Sequence, residues 1–156
     1  MATEIERKFL VTGDAWRNAP SLYYCQGYLN DDKLRTVRVR VAGPIGWLTI
    51  KGQTVGISRK EFEYEIPLAD ALEMLQLCYQ PLIEKNRRIV KHDGNNWEVD
   101  EFLKENAGLV VAELELETPN QSFSKPDWIG KEVTTDKRYF NSRLASHPFS
   151  KWDDST

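Results

Sequence analysis

Arg38 and Arg40 stand two residues apart, as do Lys85 and Arg87, while Glu61, Glu63 and Glu65 repeat the spacing with the opposite charge. The same spacing links Glu4, Glu6 and Lys8, then Glu98 and Asp100, then Glu113, Glu115 and Glu117; Lys51 falls two residues after Thr49. Guanidinium forks bind phosphate oxygens in pairs and ammonium groups add point charge. A cluster of Lys8, Arg38, Arg40, Lys51, Lys85 and Arg87 therefore suits a dense polyanion. Hard divalent cations such as Mg²⁺ or Mn²⁺ take oxygen ligands, which makes Glu4, Glu6, Glu61, Glu63, Asp100, Glu113 and Glu115 the candidate metal ligands. Brought together, the two sets describe a metal–polyphosphate site.

Residues two apart point to the same side of a β-strand, so strands are the elements that can gather these groups. The intervening residues are apolar: Ile5 and Phe9 oppose the first set, Val37, Val39 and Val41 the arginines, Phe62, Tyr64 and Ile66 the middle glutamates, Leu114 and Leu116 the last ones. One such strand alone would be an ordinary solvated face. Ordinary faces mix both signs, however, and here signs are grouped. Two like carboxylates ~7 Å apart repel by about 2 kcal/mol at an effective dielectric near 20. Repeated over several strands, that cost demands compensation from cationic strands facing acidic ones and from bound divalent cations.

The pattern predicts strands over 3–11, 22–29, 34–41, 45–53, 58–66, 82–91, 96–103 and 109–117, separated by tight-turn residues such as Gly43-Pro44 and Asp93-Gly94-Asn95. Short connections imply antiparallel neighbours. A short helix near 13–19 carries Trp16; a second begins at Pro67, places Leu68, Leu72 and Leu75 on one stripe and stops at Pro81. A third runs over 135–145 with Thr135 as its N-cap, and 119–132 reads as irregular with one helical turn around Pro126-Asp127-Trp128. The fold class expected is mainly β (α+β). It is an eight-stranded antiparallel closed β-barrel, its charged faces turned inward and its apolar exterior partly covered by the two longer helices. The 156 residues, with no linker, low-complexity tract or internal repeat, form a single domain.

Several functions are disfavoured. The 21 Lys+Arg against 24 Asp+Glu give a net charge of −3, which does not support general affinity for nucleic acid or an anionic membrane. Cys25, Cys78, His92 and His147 have no metal-like spacing, so a zinc site or a Cys/His nucleophile pair is not expected. The opening residues carry no basic-then-apolar leader and no run reaches the ~18 apolar residues of a membrane span, so a cytoplasmic protein is expected. Lys51-Gly52-Gln53-Thr54 lacks the preceding glycine of a phosphate loop and reads as a hairpin end. Trp47, Trp97, Trp128 and Trp152 are assigned to packing or surface.

Glu4-Ile5-Glu6-Arg7-Lys8 fits a Glu-x-Glu-x-Lys signature, and Arg38-Val39-Arg40, Lys51, Glu61-Phe62-Glu63, Lys85-Asn86-Arg87, Asp100 and Glu113-Leu114-Glu115 follow in order. In these residues the chain resembles the CYTH superfamily, the triphosphate tunnel metalloenzymes, in its small bacterial form, over essentially its whole length. The resemblance implies an antiparallel tunnel that binds a triphosphate through the basic residues and divalent metal through the acidic ones. It also implies a C-terminal helix plugging one end, which 135–145 would supply, with Tyr139, Phe140 and Leu144 read as core contacts. Similar enzymes suggest that Tyr28, placed beside Lys8 on an adjacent strand, helps proton handling. Lys8 would then serve as base if crowded cations depress its pKa.

The expected activity is metal-dependent hydrolysis of tripolyphosphate to pyrophosphate and phosphate, with a small-molecule triphosphate as the partner. A chain this small leaves little protein for a nucleobase pocket. The resemblance also permits thiamine-triphosphatase activity or, as the runner-up, adenylate cyclase, and a non-catalytic polyphosphate-binding module would need only the basic cluster. No stretch of sequence requires a second copy, and a homodimer is left open.

Overall fold

The computed structural model describes residues 3–152. Its strands are β1 (Thr3–Val11), β2 (Ser21–Tyr28), β3 (Arg35–Ala42), β4 (Ile45–Gly52), β5 (Ser58–Ile66), β6 (Ile83–His92), β7 (Asn95–Phe102), β8 (Val110–Glu115) and β9 (Ile129–Glu132); α1 spans Leu68–Leu77 and α2 Asn141–Ser146. The strands follow the order β5-β4-β3-β2-β6-β7-β8-β1, and β1 pairs back to β5 through Thr3↔Lys60, Glu4↔Arg59 and Ile5↔Ser58. This is a closed antiparallel barrel of eight strands, with β9 added. Closure removes the free sheet edges and encloses one face of every strand. The β6–β7 hairpin turns on Asp93 and Gly94 at φ 47 and 79, the pair of positive values that matches the twist of a two-residue connection.

The barrel departs from the sequence expectation in three places. β9 lies where an irregular stretch was expected: Ile-Gly-Lys-Glu has no alternation to reveal a strand, and it takes the edge of β1 that β5 leaves, pairing Phe9↔Glu132 and Val11↔Ile129. A side chain at Gly130 would sit 3.2 Å from the Leu10 carbonyl oxygen, so the close approach favours glycine. The buried stripe of α1 is Ala71 and Leu75, and Leu68 and Leu72 stay exposed. Ala71 turns inward because Gly46 on β4 leaves room for it; a Cβ there would meet the Ala71 methyl at 2.6 Å. Pro67, at ψ 136, precedes the helix rather than opening it.

The C-terminal segment is likewise two pieces rather than one helix. Lys137–Tyr139 forms a 3-10 turn capped by Asp136, whose carboxylate accepts from the Arg138 amide, so Thr135 is not the cap. Phe140 is extended at φ −68, ψ 134, and α2 starts after it. The break lets Tyr139 and Leu144 pack against Ile83, Phe102 and Val111, the inward residues at one end of the barrel. That apolar layer closes this end.

Two apolar exteriors stabilise the wall. Val39 and Val41 are covered by Ala71 and Leu75 of α1. On the opposite wall Phe9, Trp97, Val99 and Ala112 are covered from outside by Phe123 and Trp128, whose rings meet Trp97 edge-on at 5.9 and 6.2 Å. Apolar burial thus lies on the outside of the sheet and at one end, and the lumen is left to charge. Among the described residues no helix is long and apolar enough to cross a membrane.

Candidate active site in a two-toned tunnel

The enclosed faces surround a cavity of about 190 Å³. The period-two pattern aims Arg38 and Arg40 of β3, Lys51 of β4, Lys85 and Arg87 of β6 and Lys8 of β1 into it. Glu4, Glu6, Glu61, Glu63, Glu113 and Glu115 line it too, together with Tyr28. Thirteen of the fourteen candidate residues thus meet in one lumen.

Asp100, the remaining metal-ligand candidate, does not line the cavity. It is 1% exposed, on the same strand face as the cavity-lining Glu98, and both of its oxygens are engaged by cations. Arg87 donates to Oδ1 at 2.7 Å and to Oδ2 at 2.9 Å, and Lys85 donates to Oδ2 at 2.6 Å. Burial alone would raise its pKa; Arg87 and Lys85 overcome that and bring it down to about 2. Asp100 holds the two cations in place.

The cationic side is rigidly backed throughout. The Tyr24 ring lies between the Arg40 and Arg87 guanidiniums, 4.8 Å from each. Arg40 Nε donates to Gln26 at 2.7 Å, and Arg38 donates to Thr49 at 3.2 Å and Glu63 at 3.3 Å. Burial, with Arg38 and Arg87 adding repulsion, pulls Arg40 down to about 10. Arg38 Nε is buried without any partner. Glu63, Asp100 and Glu98 offset Arg38, Lys85 and Arg87, but Arg40 has no carboxylate of its own and Arg38 Nε no acceptor, and a phosphate chain supplies both.

The acidic side has the complementary deficit. Burial, reinforced by Glu113 and opposed by Lys8, pushes Glu6 up to about 8. Burial likewise raises Glu4 and Glu115. Lysines hold the carboxylates meanwhile: Lys51 lies 3.2 Å from Glu4 and 3.1 Å from Glu61, and Lys8 lies 3.4 Å from Glu113 and 3.8 Å from Glu6. Among the described residues no three carboxylate, imidazole or thiolate ligands converge closely enough to chelate an ion as they stand. The donor chemistry nevertheless fits a hard divalent cation, because the oxygens are crowded and one carboxyl is driven toward neutrality for want of positive charge.

One expectation about Lys8 and Tyr28 is corrected. β1 and β2 lie four strands apart in either direction round the barrel, so Tyr28 faces Lys8 across the lumen instead of from a neighbouring strand. Burial would lower the Lys8 ammonium, but Glu113, Glu6 and Glu4 outweigh it and hold its pKa above the ordinary value. With these carboxylates facing it, Lys8 is a stabilised cation.

The sequence profile of the CYTH domain matches residues 2–146. The chain belongs to the CYTH family. A CYTH relative from Acetivibrio thermocellus named inorganic triphosphatase is 53% identical over 154 residues, 97% of this chain and 99% of the relative. Another of that name, from Nitrosomonas europaea, is 36% identical over 148 residues, 92% of this chain and 97% of the relative. The crystal structure of an inorganic triphosphatase matches with a TM-score of 0.68 at 33% identity, covering 93% of this chain and 95% of the other.

This CYTH tunnel also uses residues that sequence reasoning passed over. Arg59 and Glu98 line it, Thr49 supports Arg38, and Tyr24 and Gln26 brace the arginines. Arg59, Glu98, Thr49 and Gln26 each sit two residues from a candidate already singled out, and Tyr24 four from Tyr28 on the same strand face, so the strand period carried the signal. Asn141, which accepts from Lys85 at 3.1 Å, had none; its position comes from tertiary docking of the C-terminal segment.

Proposed function

We propose that this CYTH protein hydrolyses inorganic triphosphate to pyrophosphate and phosphate. One observation carries the reading: a single enclosed lumen joins a cationic wall short of anions to an acidic wall short of cations. A bound triphosphate offers oxygens to Arg38, Arg40, Lys85 and Arg87, which neutralise its charge and stabilise the leaving pyrophosphate. Lys51 and Lys8 lie where the two walls meet and shift from carboxylate to phosphate partners as the chain enters. The names of the relatives support the choice of substrate.

CYTH triphosphatases are metal-dependent, and Glu4, Glu6, Glu61, Glu113 and Glu115 are the residues proposed to hold Mg²⁺ or Mn²⁺, with Glu63 and Glu98 beside the arginines they pair with. The bound ion would screen the phosphate charge and make water a better nucleophile. The carboxylates keep that end of the lumen polar and open to water, while the layer of Ile83, Phe102, Val111 and Leu144 shuts the other end. Water attacks a terminal phosphorus, the bridging P–O bond breaks, its electron pair leaves on pyrophosphate, and the proton that water gives up passes to a product phosphate oxygen or to solvent. Tyr28, 7% exposed at the wall, contributes a phenolic donor to the chain.

A release assay tests the reading. Tripolyphosphate, ATP, thiamine triphosphate and pyrophosphate are each incubated with Mg²⁺, with Mn²⁺ and with chelator, and phosphate, pyrophosphate and cyclic AMP are measured. Equimolar phosphate and pyrophosphate from tripolyphosphate, lost with chelator, is the expected result. Cyclic AMP as the main product from ATP would replace the reading with a cyclase, and tight binding without turnover under every metal would replace it with a binding module.

A further inference from the structure

Gln26 is fully buried in the middle of β2, where a neutral amide is costly unless every polar atom is satisfied. Its Oε1 accepts from Arg40 Nε at 2.7 Å, and its Nε2 donates to Asn141 Oδ1 at 3.0 Å. The same Asn141 oxygen accepts from Lys85 Nζ at 3.1 Å, and Lys85 is held from behind by Asp100. One hydrogen-bonded chain therefore runs from Arg40 through Gln26 and Asn141 to Lys85.

The ends of the chain fix its direction. Arginine Nε and lysine Nζ can only donate, so the atom that each meets must be an amide oxygen. Reversing either amide would set N–H against N–H. Both rotamers are thus determined by the cations, and the cations in turn are oriented by the amides. Gln26 belongs to the barrel wall, whereas Asn141 is the first residue of α2, in the segment that closes the barrel end. Tyr139 and Leu144 dock that segment on Ile83 and Phe102, with Asn141 between them in sequence.

We propose that Gln26 and Asn141 are positioning residues that couple docking of the C-terminal segment to the orientation of Arg40 and Lys85, so that the phosphate-holding wall is complete only with the segment in place. This rests on the triphosphatase reading above. Neither residue needs to touch the reacting phosphorus. Each acts through a cation that grips the phosphate chain before and during reaction, so its loss weakens binding more than turnover.

The experiment uses the full chain, with steady-state kinetics on tripolyphosphate and calorimetric titration of the same anion. Asn141→Ala and Gln26→Met should each raise KM by about tenfold, the effect of losing one hydrogen bond to a charged group, and change kcat less. Because both act through one chain, the double variant should be no worse than the worse single. Ser146→Ala, at the outer end of α2, should match wild type and control for a general disturbance of the segment.

An unchanged KM in a folded single variant, or two factors that multiply in the double, would overturn the proposal. Should Gln26→Met fail to fold, Asn141→Ala alone decides it by the same criterion. If the wild type turns over no tripolyphosphate, the functional reading fails first. The calorimetric affinity then decides the positioning role separately, with the same tenfold loss expected.

Discussion

The two walls of the lumen are built from the same kind of strand but held in opposite ways. On the cationic wall every charge is braced from behind: Asp100 under Lys85 and Arg87, Tyr24 between Arg87 and Arg40, Gln26 and Thr49 beside Arg40 and Arg38. On the acidic wall the partners are lysines in the lumen itself, at 3.1 to 3.8 Å, and Glu61 and Glu6 remain 24% and 22% exposed. A wall braced by fixed partners keeps its shape when a ligand arrives, which suits recognition of a defined phosphate geometry. A wall held by mobile ammonium groups can exchange them, which suits a cation that comes and goes.

The comparison breaks most severely at Asp100. Asp100→Ala leaves buried Lys85 without a carboxylate and Arg87 with Glu98 alone, and removing one partner of a buried ion pair costs about 3–5 kcal/mol. Urea denaturation should register that loss, and the folded fraction that remains should bind tripolyphosphate poorly. Removal of Glu61, on the acidic wall, should cost little stability, since Lys51 keeps Glu4 as partner. Equal losses at the two positions would mean that the walls are not differently braced.

Function should divide along the same line. Arg40→Ala removes a charge-assisted contact worth about 1.5–3 kcal/mol, so KM for tripolyphosphate should rise by roughly tenfold to a hundredfold while the metal requirement stays put. Glu115→Ala should do the reverse, raising the Mg²⁺ or Mn²⁺ concentration for half-maximal rate with little change in substrate KM at saturating metal. Titrating each ligand at saturating levels of the other separates the two outcomes.

The walls should also answer to pH with opposite slopes. The folded-state pKa of Asp100, about 2, lies below its ordinary 3.8, so its stabilising contribution is complete above 3.8 and is lost as pH falls through 2. Glu6 is raised from 4.5 to about 8, so the folded state binds the extra proton and stability falls as pH climbs from 4.5 through 8. Thermal melts without divalent metal should therefore decline over that upper window. Glu6→Gln should flatten the decline, and added Mg²⁺ should do so in wild type. A decline untouched by either change would disconnect it from the acidic wall.

How much of this was legible follows from what carries each feature. Barrel strands declared themselves because charge and apolarity alternate along Arg38-Val39-Arg40 or Glu113-Leu114-Glu115, and that period is a property of the chain alone. Convergence of the candidates into one lumen follows from closure, which the pairing of β1 with β5 supplies. The direction in which a side chain turns once inside is different. Asp100 and Glu98 share a strand face, yet one is sealed under Lys85 and the other lines the cavity, because depth along the lumen is set by neighbours on other strands. Lys8 among carboxylates, Asn141 in the lumen and the short strand β9 likewise depend on contacts distant in sequence.

The smallest expected effect concerns the cap behind the cationic wall. Asp136 accepts from the Arg138 amide at 3.1 Å and so orders the turn that delivers Phe140 and Asn141 to the lumen. Losing an N-cap costs about 1 kcal/mol, so Asp136→Ala should lower the melting temperature by a few degrees, whereas Thr135→Ala, beside it and exposed, should not. Because Asn141 reaches Gln26 and Lys85 from the far side of this turn, the cap also bears on substrate grip. A rise of about twofold in KM with an unchanged metal requirement would place the turn with the cationic wall, and a shifted metal requirement would place it with the acidic one. The geometry favours the first: past the turn, the Phe140 ring lies 5.5 Å from Lys8, but the hydrogen bonds of Asn141 run to Gln26 and Lys85.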